Sequence, residues 1–105
     1  MAMSFEKPFD FPQAEALERL QALTDHWSAK HGLQVEWDGS EGRVSGKVRG
    51  VKFSGVMKVG DHRVTVEVKA GFLAEKLGGR QYVEGKLTEY LDPKQQVAEL
   101  RARAR

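Results

Sequence analysis

The sequence predicts an α+β fold: a four-stranded antiparallel meander with an N-terminal and a C-terminal helix packed on one face. Three observations predict it. Four stretches between residues 33 and 70 alternate apolar and polar side chains, a long helical periodicity precedes them, and a shorter one follows. At 105 residues, with 40% hydrophobic and 30% charged side chains, the chain has room for one core and the balance of an ordinary globular domain. The predicted domain covers residues 1–92, and a basic tail with a frayed helix follows at 93–105.

Met3 to Lys7 can add a fifth strand at the N-terminus, with Met3 and Phe5 sharing a side and Pro8 ending it. Asp10 and Gln13 have the spacing of a capping box, with Pro12 in the first helical turn. The helix that follows stops at Gly32. Its inward stripe is Ala16, Leu17, Leu20, Leu23, Thr24 and Trp27, with Glu15, Glu18, Arg19 and Asp25 facing away.

The strands then set their own register. A tight loop at Arg49-Gly50 places Val48 opposite Val51 and Gly46 opposite Phe53. A loop at Gly60-Asp61 places Met57 opposite Val64 and Phe53 opposite Val68. A loop from Gly39 to Gly42 places Trp37 opposite Val44. With these turns every apolar residue shares one face, and a one-residue slip would send the set to the other side. The same register puts Lys47 opposite Lys52, Lys52 opposite Lys69, Lys58 beside Arg63 and Asp38 opposite Arg43. "FLAEKLGG" reads as a loop, and "RQYVEGKLTEYLD" as a helix with Val83, Leu87, Tyr90 and Leu91 inward.

The order and spacing of several phrases carry a resemblance. "VEWDG", the "GVKFSG" stretch, "VTVEVKAGFL" and the closing helix "VEGKLTEYLD" resemble the small bacterial polyhydroxyalkanoic acid system proteins, over residues 3 to 92. The resemblance implies a strand and helix, a meander and a final helix, together with an accessory role near polyhydroxyalkanoate granules. It carries over no catalytic residues. Family members often have a histidine near the position of Phe9, so no polar role transfers to that position, and the basic tail looks like an addition.

Composition narrows function further. With no cysteine, the chain has no disulfide, no thiol chemistry and no thiolate zinc site. No apolar run approaches the roughly 20 residues of a membrane span, and the N-terminus lacks a signal-peptide core, so a cytoplasmic protein is expected. His26, His31 and His62 do not have the spacing of a metal site, no serine or threonine has a base in reach, and no enzyme, cofactor or metal is expected. Net charge is +2, but residues 43–69 carry seven basic and two acidic side chains. Arg43, Lys47, Arg49, Lys52, Lys58, Arg63 and Lys69 therefore form the candidate anion- or partner-binding face, for a protein or granule-surface partner. The plain alternative is a solvated surface. A second candidate is an apolar-ligand pocket of Leu20, Trp27, Trp37, Phe53 and Phe72 between helix and sheet. Nucleic acid ranks third, because no aromatic side chain is expected on the outward face.

Overall fold

Alternation in the sequence becomes one twisted sheet. The computed structural model describes residues 2–48, 50–70 and 78–103. Strand β1 (Ala2–Pro8) precedes helix α1 (Gln13–His31), and β2 (Gln34–Asp38), β3 (Glu41–Val48), β4 (Val51–Val59) and β5 (Arg63–Ala70) follow as a meander. Helices α2 (Gly79–Tyr90) and α3 (Val97–Ala102) close the chain. All pairings are antiparallel in the order β1-β5-β4-β3-β2, so the N-terminal strand completes the far edge on β5. No helix among the described residues is long and apolar enough to cross a membrane.

The period of two holds throughout. Met3, Phe5, Val44, Met57, Val59, Val64, Val66 and Val68 lie on the covered face with Leu20, Leu23, Trp27 and Leu87 above them. Helix α1 crosses β2, β3 and β4, whereas α2 sits nearer β1. Gly32 ends α1 in the left-handed region at φ 68°, and its N–H donates to the Ser28 carbonyl, as the sequence predicts. The capping box does not form. Pro12 is the N-cap with no side-chain cap, and Gln13 instead donates from Nε2 to the Val59 carbonyl at 2.8 Å.

Two of the three predicted turns are displaced by one residue, which shifts the cross-strand pairing by two. Val48 pairs with Val51 and Gly46 with Phe53, as read from the sequence. At the β4–β5 turn, however, Val59 pairs with Val64 and Met57 with Val66, leaving Asp61-His62 as the loop. The extra pair buries Val59 against Val64. At the β2–β3 turn Asp38 pairs with Glu41, and Trp37 faces Gly42 rather than Val44. The tryptophan selects that register: a Cβ on Gly42 would stand 2.6 Å from its ring. Both slips are even, so each side chain keeps its face while its cross-strand partner changes.

Two features of the C-terminal half depart from expectation. Arg19, read as outward, is buried at 3% exposure and holds the chain after α2. Its Nη1 donates to the carbonyls of Tyr90 (3.1 Å) and Asp92 (2.9 Å), its Nη2 to that of Gln95 (2.7 Å), and its Nε to Glu15 (3.1 Å). The guanidinium also lies 4.7 Å from the centre of the Phe11 ring. Carbonyls at a helix C-terminus lack intrahelical donors and favour a cation, which explains why a charge is tolerated there. The tail, expected to fray, forms α3 on the side of α1, with Leu100 fully buried. Arg101 reaches Glu18, Arg103 pairs with Glu89, and the His26 ring donates from Nδ1 to the Arg103 carbonyl.

Candidate functional site

The face of the sheet opposite the helices is open, and the register sorts its charges. At the β2–β3 and β4–β5 turns, cations meet carboxylates: Arg43 and Lys58 both pair with Glu41, and Arg63 pairs with Glu6. At the opposite end Lys47 stands across from Lys52 as predicted. The two-residue slip sets Lys69 opposite Ser54, so Lys52 and Lys69 are diagonal neighbours instead of partners. For the same reason Lys58 faces Thr65 rather than Arg63, and Arg43 faces Glu36 rather than Asp38. Lys47, Lys52 and Lys69 are exposed and make no ion pair among the described residues. Arg49 lies outside the described residues. The continuous basic row read from the sequence is thus a three-lysine end beside a charge-balanced end. Between them Ser45 and Ser54 floor a shallow saddle of about 420 Å³, with Arg43, Glu67 and Lys69 on its rim.

A second concavity lies on the covered side, walled by α1 and α2. It has a volume of about 310 Å³ and an apolar wall that includes Trp27, Leu33, Phe53, Val68 and Val83. One glycine makes the room. Gly55 occupies an inward position of β4 on the floor of the hollow, which therefore lacks a side chain there, whereas the inward space at Gly46 is taken by Leu33, whose Cδ2 would stand 2.7 Å from an added Cβ. Burial falls off towards the hollow: Val64, Leu20 and Leu87 are sealed at 0% exposure, while Leu33 and Val68 beside it keep 8%. Of the predicted pocket residues, Trp27 and Phe53 line the hollow. Leu20 lies in the sealed core, Trp37 lies over Gly42, and Phe72 is outside the described residues. His31 and Tyr82 reach the hollow without having been singled out in the sequence. The tyrosine hydroxyl accepts a hydrogen bond from Trp27 Nε1 at 3.1 Å. The signal available for Tyr82 was its place one residue before the inward Val83.

Among the described residues no group of three or more histidine, cysteine, aspartate or glutamate side chains gathers at one point. Two carboxyls are held below the usual 4.5. Glu84 is lowered by its hydrogen bond to Lys7 and by that ammonium's charge. At Glu89 burial pushes the value up, but Lys86 and Arg103 outweigh it.

The fold and the meander phrases agree with a comparison against protein families. The family described as "Putative polyhydroxyalkanoic acid system protein" matches residues 3–94. The chain belongs to this family. Its match ends just before α3, so the docked helix lies beyond the shared region, whereas the sheet, α1, α2 and both concavities lie inside it. A search of curated proteins finds no match.

Proposed function

We propose that the chain is a non-enzymatic accessory protein of the polyhydroxyalkanoate system, binding a granule-associated partner through the lysine end of its open sheet face. The observation that carries this reading is the charge sorting. Lys47, Lys52 and Lys69 gather at one end with no ion pair among the described residues, although Glu67 stands two positions from Lys69 on the same face, while Arg43, Lys58 and Arg63 at the other end are paired. Like charges directly opposed across a sheet cost roughly 0.2–1 kcal/mol per pair, and an anionic partner would relieve that repulsion. Exposed cations act over about 8–10 Å at ordinary salt, so the association should weaken as salt rises. Family membership supplies the system in which the partner is sought. No aromatic side chain among the described residues stands on this face to stack a base, which favours a protein or granule surface over nucleic acid. The tail adds little, because Arg101 and Arg103 are occupied by Glu18 and Glu89.

Fractionation of polymer-accumulating cells tests the reading. Wild-type protein should sediment with granules at low salt, and a variant carrying Lys47→Glu, Lys52→Glu and Lys69→Glu should stay in the supernatant. A wild-type distribution indifferent to polymer, or a triple variant that still sediments, counts against it.

A further inference from the structure

The apolar hollow lies on the opposite side of the sheet from the lysines, and what it does is independent of them. We propose that it binds a single unbranched acyl chain with an anionic head, of the size of a medium-chain carboxylate, the chain lying against Trp27, Phe53 and Val68 and the head at the His31 and Tyr82 rim.

Size sets the occupant first. At about 310 Å³ the hollow stands at the lower end of small-molecule sites, which run from roughly 300 to 1,000 Å³. At roughly 30 Å³ for each water-sized group, it holds about ten non-hydrogen atoms, which matches one medium-length chain whose carboxylate stays outside at the rim. The chemistry of the wall agrees: aliphatic and aromatic side chains surround it, with polar side chains among the described lining residues only from His31 and Tyr82, since Ser54 turns its hydroxyl to the open face, and no carboxylate among them. That set repels no anionic head, and the Tyr82 hydroxyl, which accepts from Trp27, keeps its own proton to donate to one. A dry wall of this kind favours a chain over water.

Gly55 is the more telling observation. It sits in mid-strand, where glycine is unfavourable, at an ordinary strand φ. A Cβ there would meet only the Glu67 carbonyl at 3.4 Å and Val68 at 3.8 Å, both ordinary contacts. Nothing in the backbone demands glycine, yet any side chain would project into the hollow. Gly42, by contrast, is required by the Trp37 ring. The open volume at Gly55 is therefore a feature that a filled core would lack.

The test uses the full chain and decanoate below its micelle concentration, followed by Trp27 fluorescence in a Trp37→Phe background and by calorimetry on the wild type. Saturable one-to-one binding is expected, weakened at least tenfold by Gly55→Val and several-fold by the smaller Gly55→Ala, with melting temperatures at or above that of the wild type. Decanol should bind more weakly than decanoate. Absence of saturable binding, binding unchanged in Gly55→Ala and any folded Gly55→Val protein, or decanol equal to decanoate would overturn the proposal. So would a concentration-dependent dimer that Gly55→Val abolishes, since the occupant would then be a second copy.

Discussion

Replacing Arg19 by methionine removes the clamp that holds the end of α2 while leaving an apolar stem over Phe11. The magnitude follows from what is left behind. Three backbone carbonyls, Tyr90, Asp92 and Gln95, lose the guanidinium; the first is fully buried, and the second keeps the Gln95 N–H at 3.0 Å. A buried group left unsatisfied costs about 1–3 kcal/mol, and hydrogen bonds to a charged donor contribute about 1.5–3 each. Asp92 and Gln95 are only partly buried, so water can replace part of their loss, and removing a desolvated charge offsets some of the rest. The expected destabilisation is about 3–5 kcal/mol, a large share of the roughly 5–15 available to a domain. For a chain of this size each kcal/mol moves the melting temperature by roughly 4–8 °C, so a fall of at least about 12 °C is expected. Arg19→Lys keeps the charge but not the planar fork that reaches three carbonyls, and should recover less than half of the loss. Urea denaturation of the three proteins gives the comparison. A methionine variant within about 1 kcal/mol of wild type would refute the argument, because it would mean that the carbonyls find water as readily as the guanidinium.

Gly42→Ala should cost about 1–3 kcal/mol by overpacking, because the new methyl meets the Trp37 ring at 2.6–2.7 Å. The ring must swing away and lose its 3.0 Å bond to the Thr24 hydroxyl, so the near-ultraviolet circular dichroism should change; an unaltered spectrum and melting curve would contradict the contact. Acid should also destabilise the fold through Glu84 and Glu89. Both carboxyls titrate lower folded than unfolded, so the unfolded chain binds more protons, and their stabilisation is present above the usual 4.5 and fades as pH falls below it. Urea midpoints should therefore drop between about pH 5 and pH 3, and a Lys7→Met, Arg103→Met variant should drop less. Equal acid sensitivity in the two proteins would place the effect elsewhere.

The candidate faces were partly legible in the sequence. Lys47 opposite Lys52 followed from a two-residue turn, and Trp27 and Phe53 followed from their inward positions. The neighbour of Lys69 did not, because strand β4 runs on to pair Val59 with Val64, and burying that pair is favoured whichever loop residues look most turn-like. Trp37 left the predicted pocket because its ring lies over the bare backbone of Gly42, on the next strand. Arg19 was assigned outward by its charge; the carbonyls that receive it lie more than 70 residues away, where no local pattern points to them.

The sequence by itself determined the order of elements, the stop at Gly32, the β3–β4 turn and the face on which each strand residue stands. These depend on repeats of 2 and 3.6 residues and on turn chemistry, which act between near neighbours. Only the tertiary structure decided which side chains meet across strands, that α3 docks on α1, and that a hollow remains between α1, α2 and the bare backbone of Gly55. Those outcomes are set by volumes and carbonyls brought together from distant parts of the chain. Shifting a strand by two residues keeps its apolar face buried, so burial alone cannot choose between such registers.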